Sequence, residues 1–149
     1  MTSDDIIPVL AQILSDNDPI NAACYGNVTP GYPATLQDSK LTAINPTAIW
    51  IRDLDMTESG YLGSTTSGEY AYDILFQVDV MSLTSQAVAE SVRRLIMNLL
   101  KSTSSKPFNN STFYFDIRLQ SRLASRHDDA LSAWVAPLRM RVTGGYVAT

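Results

Sequence analysis

Cysteine, histidine and long apolar runs are scarce in this chain. Its 149 residues include one cysteine, Cys24, and one histidine, His127. A single cysteine cannot form an intramolecular disulfide, and the first ten residues carry Asp4 and Asp5 where a secretory signal would carry basic residues. No stretch approaches the roughly 18 consecutive apolar residues that a membrane-spanning helix needs. We therefore expect a protein of a reducing cytoplasm with no membrane partner.

The motifs that carry catalysis or metal binding are also missing. We find no nucleophile elbow, phosphate-binding loop or zinc-spaced set of cysteines and histidines. The tripeptide His127-Asp128-Asp129 could contribute to a metal site, but adjacent carboxylates point in different directions on any regular backbone. A solvated turn is the favoured interpretation. The sequence predicts a protein that is not an enzyme and that holds no cofactor and no metal.

What the chain does have is enough apolar residues for one core. Hydrophobic residues make up 45% of it and charged residues 17%, so the chain is not of the disordered class. A length of 149 residues is ordinary for a single domain, which can bury most of its apolar surface without disulfides or metals. We expect one domain over residues 1 to 149.

Charge is distributed unevenly along the sequence. Residues 1 to 80 carry eleven acidic and two basic side chains, a net charge of −9, whereas residues 81 to 149 carry four acidic and nine basic ones, a net charge of +5. If the halves lie on different sides of the subunit, the acidic surface of one copy could meet the basic surface of the next in a contact that closes into a ring. Alternatively, both halves interleave in one sheet and neutralise each other within the subunit.

Two segments have clear periodicity and set the predicted fold. Residues 70 to 81 alternate apolar and polar side chains, which predicts a half-buried strand. Residues 88 to 99 carry a helical apolar stripe, with Thr84 as the expected N-cap.

Weaker signals predict the rest of the chain. They indicate a short helix from Asp4, strands over 47 to 54, 112 to 122 and 131 to 142, a long irregular connection over about 17 to 46 with a short extended piece near 22 to 28, and a mobile hairpin tip over about 55 to 68. In the last strand Pro137 favours a bulge or an edge position. The prediction is an α+β fold of order α-β-β-α-β-β, with a largely antiparallel sheet of four or slightly more strands and two helices packed on one face.

Four arginines are the candidate functional residues of the last two predicted strands. Strand alternation places Arg118, Arg122, Arg139 and Arg141 on the outward face. They could meet nucleic acid phosphates, although an acidic protein without interleaved exposed aromatics is a poor candidate for binding free DNA tightly. A protein contact or a pore lining is favoured over that, and a third interpretation is that they only keep the strand face soluble.

The arrangement of these elements resembles a known family. The strand YDILFQVDVMS leads into the helix SQAVAESVRRLIMNLL, and the closing strand ends in LRMRVTGGYV. Together with the short first helix and the long hairpin tip, this pattern is similar to tail terminator or tail completion proteins of long-tailed bacteriophages. The resemblance spans most of residues 4 to 143.

The resemblance implies a structural virion protein of the tail or neck, made in the cytoplasm of a bacterial host. It implies a homohexameric ring that caps the tail tube, ends its polymerisation and docks to the head-tail connector or stopper protein. Its partners would be itself, the tail tube protein and that connector, and genomic DNA would pass through the ring without sequence-specific binding. We expect the hairpin tip, with Tyr61 and Leu62, to touch the tube.

Two other functions remain open from the sequence. The chain could be another neck, connector or tail tube component. It could also be a monomeric α+β domain that binds a ligand or catalyses a reaction.

Overall fold

A computed structural model shows an α+β fold in which three helices pack on one face of a single sheet. It describes the backbone of residues 3–61, 69–103, 108–109 and 113–147, and the side chains of 6–54, 73–101 and 117–143. Within those ranges the elements are α1 (Ser3–Asp16), α2 (Asp18–Cys24), β1 (Val28–Pro30), β2 (Thr47–Tyr61), β3 (Glu69–Ser82), α3 (Gln86–Thr103), β4 (Phe108–Asn109), β5 (Phe113–Arg122), β6 (Arg126–Asp128) and β7 (Ala133–Val147).

The four long strands lie side by side at the centre of the sheet. Strand order is β1-β2-β3-β7-β5-β4, and β6 pairs with β7 beyond the end of β5. All described pairings are antiparallel except that of β1 with β2. The predicted fold class is confirmed, and the order of the long elements agrees with the prediction. The four-stranded, two-helix description was too simple, because a second helix and three short strands escaped it.

The additional helix lies inside the connection that was predicted to be irregular from residue 17 to 46. Asn17 ends α1 and caps α2, because its side-chain oxygen accepts a hydrogen bond from the Ile20 amide at 3.2 Å. Pro19 stands in the first turn of α2, where a missing N–H costs little. The helix ends at Cys24, and the backbone of the next residue, Tyr25, adopts the left-handed conformation with φ 55°. The extended piece expected near residues 22 to 28 is therefore mostly helix, and β1 begins only at Val28.

The hairpin of β2 and β3 is longer than predicted. Pairing continues past Leu54 to Tyr61, which lies opposite Tyr70, with register shifts between Asp53 and Asp55 and between Ser59 and Tyr61. Bulges of this kind keep the ladder going while they disturb the alternation from which a strand is recognised. The first half of the predicted tip is therefore strand. Residues 62 to 68, including Leu62, lie outside the described residues.

Pro137 lies in a strand that has neighbours on both sides, so the expectation of an edge strand was wrong, but on one side it faces an interruption between two strands. It stands opposite Asp79 of β3, and its carbonyl oxygen faces the other way and accepts the Leu123 amide at 3.3 Å. On that side β7 changes partner: β5 pairs with it as far as Leu138, and β6 pairs with it from Val135. Pro137 lies in the gap between these two pairings. Because the N–H and C=O of one residue in an antiparallel strand point the same way, the missing donor of proline falls in this gap.

The main core lies between the sheet and the helices. Strand β3 contributes its predicted apolar face, and α3 contributes a stripe rotated slightly from the predicted one, since Ala89 and Leu100 are more deeply buried than Val88 and Leu99. The buried side chains of this core include Ile6, Leu10, Leu14, Ile49, Ile51, Ile74, Phe76, Val78, Val80, Val92, Ile96, Leu138 and Met140. None of the helices in the described ranges is long and apolar enough to cross a membrane.

A second, smaller core covers part of the opposite face of the sheet, which we call the open face. Tyr32 and Leu41 of the connection pack there against Trp50, Met81 and Val135. The connection from residue 31 to 46 thus lies over one end of the open face. This cover explains why polar side chains of β3 on that face are buried.

Candidate functional site

A row of polar and charged side chains crosses the open face beside the second core. Arg52 lies on β2, Gln77 and Asp79 lie on β3, and Arg139 lies on β7 opposite Gln77. Gln77 donates to the Asp79 carboxylate at 2.9 Å and accepts from the Nε of Arg139 at 3.3 Å. The row therefore links three strands through side chains.

Asp79 is the most unusual member of this row, because its carboxylate is completely buried. Burial raises the pKa of Asp79, against the opposing effects of the Gln77 hydrogen bond and of the nearby arginines. The Nε of Arg52 lies 3.5 Å from its second oxygen, without hydrogen-bond geometry. Among the described atoms, that oxygen, the Nε of Arg52 and the indole N–H of Trp50 have no hydrogen-bond partner.

Tyr32 joins the row to strand β6. Its hydroxyl donates to Asp128 at 2.7 Å and accepts from Arg126 at 2.9 Å, while its ring lies 4.8 Å below the Arg52 guanidinium. The hydrogen bond from Tyr32, with smaller contributions from the Leu131 amide and Arg126, holds the pKa of Asp128 below its usual value. A cation over an aromatic ring and two charge-assisted hydrogen bonds fix the connection onto the sheet.

Farther along the open face, Arg141 is held by an acidic neighbour. One of its terminal nitrogens lies 2.9 Å from both oxygens of Asp73, and its Nε donates to Gln120 at 3.4 Å. Arg118 stands opposite Arg141 across the pairing of β5 with β7. This part of the face is where acidic and basic halves of the sequence interleave.

The other side of the molecule carries a basic groove between α3 and the segment that follows β5. It has a volume of about 600 Å³, and its walls include Arg94, Lys101 and Arg122. At its floor the buried Arg93 donates to the carbonyl oxygens of Leu123 at 2.7 Å and Pro137 at 3.0 Å. Arg93 thus ties α3 to the gap between β5 and β6.

Glu90 lies in the same groove and, among the described side chains, forms no salt bridge. Its carboxylate accepts from Gln86 at 3.0 Å and from Ser125 at 2.7 Å, and these hydrogen bonds lower its pKa. The nearby charges of Arg93 and Arg122 lower it further by a smaller amount. Glu90 thus lies close to the cations of the groove, while its hydrogen bonds go to neutral donors.

The four candidate arginines do not share one surface. Arg118, Arg139 and Arg141 lie on the open face, as predicted, whereas Arg122 is opposite Leu138 on the helical side and lines the basic groove. The register shift between Leu119 and Ser121 causes the difference, because one extra residue moves every later side chain to the other face. Of the predicted tube-contacting pair, Tyr61 ends β2 and its side chain is outside the described ones, as is all of Leu62.

The His127-Asp128-Asp129 segment is a short strand and turn in which the two carboxylates have different partners. Asp128 contacts Tyr32 and Arg126, whereas Asp129 lies 2.8 Å from the Nδ1 of His127. The imidazole packs edge-on against Trp134, with ring centroids 5.1 Å apart. The described side chains contain no cluster of three or more histidine, cysteine or acidic residues that could hold a metal ion.

Sequence reasoning missed two parts of these surfaces. The cluster of Arg52, Tyr32 and Asp79 joins residues from three distant segments of the chain. The sequence pattern indicated only that Asp79 lies on the polar face of strand β3. The basic groove depends on the bulge in β5 and on the rotation of α3, neither of which has a sequence signature here.

The sequence matches no family model and no curated protein. The fold, however, is similar to that of a chain in a solved structure described as the virion of a native gene transfer agent particle. The likeness covers 90% of this chain and 90% of the other, with a TM-score of 0.62 and 12% sequence identity. At that identity the comparison shows a shared fold.

Proposed function

We propose that this protein is a structural component of a phage-like virion. The observation that carries the proposal is the fold shared over 90% of both chains with a component of a gene transfer agent virion. Because the likeness extends over nearly the full length of each chain, it concerns the whole domain and not a recurrent local motif. A fold does not by itself define a function, so the proposal also depends on the surfaces of this chain.

Within the virion, the protein forms a homohexameric ring that caps the tail tube, ends its polymerisation and docks to the head-tail connector. The sequence pattern of strand β3, helix α3 and strand β7 supports this position through its similarity to tail terminator proteins. Both charged surfaces suit protein contacts, since each presents arginines that a rigid sheet or helix holds in place. The role is structural and not enzymatic.

The ring would surround the path of the genome without reading its sequence. In this arrangement the open face, with Arg118, Arg139 and Arg141, contributes to the lumen or to subunit contacts, and the hairpin tip with Tyr61 and Leu62 touches the tube. Arg141 forms an ion pair with Asp73, and the charge of Arg139 acts on Asp79, so the positive potential that both would present to passing DNA is reduced. Such a lining suits passage better than tight binding.

Native mass is the first test of this function. We expect the purified chain to give a particle of six times 16.4 kDa by native mass spectrometry, and a ring with a central hole by negative-stain electron microscopy. A chain that stays monomeric and binds a small ligand would contradict the proposal and support the ligand-binding alternative. Another neck or tube component would instead assemble with a different copy number or as open filaments.

A further inference from the structure

The basic groove contains two arginines without an ion pair among the described side chains. Arg94 and Arg122 are exposed, and among the described residues neither has an ion-pair or hydrogen-bond partner, although Arg122 lies near enough to Glu90 for its charge to act on that carboxylate. Arg52 and Arg141 differ from them because they are paired with Asp79 and Asp73, and the charge of Arg139 acts on the buried Asp79. Arg94 and Arg122 therefore place positive charge in the groove without a salt bridge.

Keeping these cations together is electrostatically unfavourable within a single subunit. Burial, and secondly the charge of nearby Arg122, lower the pKa of the Arg93 guanidinium, while Glu90 opposes this effect. Arg94 and Lys101 also line the groove, and Glu90 is the one carboxylate among the described residues that line it. An acidic partner seated in the groove would remove this repulsion.

The chain itself has a surface with the opposite property at the corner between α1 and α2. Asp16 is the last residue of α1 and Asp18 is the first of α2, and both are exposed. The negative end of a helix dipole normally has a cation nearby, yet the last turn of α1 has no basic residue. The N-terminal end of α2, which is positive, is already matched by Asp18. Asp16 and the C-terminal end of α1 therefore add to a local negative potential at this corner.

The groove and this acidic corner are two separate patches on the helical side of the molecule. Helix α1 packs over β1 and β2, at one edge of the sheet, whereas α3 packs over β3, β7 and β5 toward the other edge, and α2 contacts both helices. Two different patches are what a head-to-tail contact requires, whereas a two-fold dimer would need one self-complementary patch.

We propose that the basic groove of one copy, through Arg94 and Arg122, receives the acidic corner at Asp16 and Asp18 of a second copy. The contact is head-to-tail and forms the repeated interface of the ring. The inference rests on the proposed ring, for which it names the surfaces that join the subunits. It also moves the principal subunit contact from the open face to the helical side.

Charge reversal on each side of the contact tests this assignment. One variant carries Arg94→Glu and Arg122→Glu, and the other carries Asp16→Lys and Asp18→Lys. In the second variant, Asp16→Lys places a cation at the C-terminal end of α1, which the helix dipole favours. Asp18→Lys places a cation at the N-terminal end of α2, which the dipole disfavours, so the two effects on folding offset each other. Lys40→Glu, a charge reversal on the exposed connection, is the matched control for a single Arg94→Glu change.

Sedimentation velocity would measure the mass of each full-length variant, and circular dichroism would verify its fold. We expect each reversed variant alone to lose at least tenfold in apparent self-association, while the Lys40→Glu control assembles as the parent chain does. An equal mixture of the two variants should restore the parental mass, because every interface of an alternating ring would again pair opposite charges. Self-association of the parent chain should also weaken as salt rises.

Three outcomes would overturn the inference. If the parent chain assembles and both folded variants assemble equally well, the groove and corner are not the contact, although the ring stands. If the variants fail singly and their mixture also fails, the groove does not receive this corner. A parent chain that is monomeric at every concentration overturns both this inference and the freely assembling ring.

Discussion

At the scale of single residues, Asp79 shows how a side chain of the polar strand face came to be buried. It alternates correctly with the apolar residues of β3, and in an uncovered sheet it would be solvated. The connection carrying Tyr32 and Leu41 closes over this end of the face, and Arg52 and Gln77 then surround the carboxylate. A buried carboxylate with one unpartnered oxygen costs stability when it is ionised.

Because of this cost, the contribution of Asp79 to the free energy of unfolding decreases as pH rises, whereas that of an aspartate in an ion pair increases. Burial raises the pKa of Asp79 above its ordinary value of 3.8, so the folded chain retains a proton that the unfolded chain has already lost. Stability contributed by the protonated group therefore falls as pH rises from about 3.8 through the folded-state pKa. We expect the free energy of unfolding of the parent chain, minus that of Asp79→Asn, to decrease over this window in urea titrations.

A charge-matched control isolates the effect of burial. Asp38→Asn removes one negative charge from the exposed connection, away from the sheet. If the parent-minus-variant difference for Asp79→Asn is constant with pH or increases, the carboxylate is not destabilised by burial and the account of this site is wrong.

Arg93 is a second residue whose role depends on burial. Its guanidinium satisfies the carbonyls of Leu123 and Pro137 at the gap between β5 and β6. Arg93→Ala should lower the free energy of unfolding by about 2 to 4 kcal/mol, because it removes two charge-assisted hydrogen bonds and takes the guanidinium donor from the Leu123 carbonyl, while the Pro137 carbonyl keeps the Leu123 amide. The exposed neighbour Arg94→Ala should change it by less than about 0.5 kcal/mol. Equal losses in the two variants, measured by urea unfolding, would contradict this role.

At the scale of elements, the start of α3 is fixed by a different residue from the one that its sequence favoured. The Ser85 hydroxyl accepts the Val88 amide at 3.2 Å, which makes Ser85 the N-cap, while Thr84 is exposed one residue earlier. Ser85→Ala should cost about 1 kcal/mol, equivalent to about 2 to 4 °C in the melting temperature of a domain of this size. Thr84→Ala should shift it by much less. A larger loss for Thr84→Ala in thermal melts would place the cap at Thr84.

The long elements could be predicted from the sequence because their signals are local. Ile74 to Val80 alternate without interruption and occupy the buried face that the alternation implies. The same rule fails at Arg122, because the bulge after Leu119 is set by pairing with β7 and not by neighbouring residues. Helix α2 was missed, because the connection from residue 17 was predicted to be irregular, whereas Asn17 caps a new helix and Pro19 stands in its first turn.

The candidate site was predictable to a similar degree and for the same reason. Arg139 and Arg141 follow the alternation of β7 and lie on the open face, where they were expected. Their pairing with Gln77 and Asp73 depends on strand order, which joins residues more than 60 positions apart. The cluster around Asp79 depends further on how the connection folds back, and no local pattern encodes that contact.

At the scale of the whole molecule, the charge asymmetry of the sequence is only partly neutralised within the subunit. The open face pairs acidic and basic residues of the two halves, as in the ion pair of Arg141 with Asp73. The remaining charge lies in the basic groove and at the acidic corner, which are separate patches on the helical side. Both arrangements that the sequence left open thus occur in part, and in the proposed ring the groove and the corner would be the complementary surfaces.

The capping of tail tubes tests the central claim most directly. The purified chain, carrying a gold-labelled tag, would be added to the polymerising tail tube protein of the same virion and viewed by negative-stain electron microscopy. We predict gold at one end of each tube, on a ring of the same width, together with tubes that stop lengthening once the ring is bound. Label along the whole tube, or tubes that grow unchanged with no label at their ends, would contradict the assignment of this chain to the end of the tail.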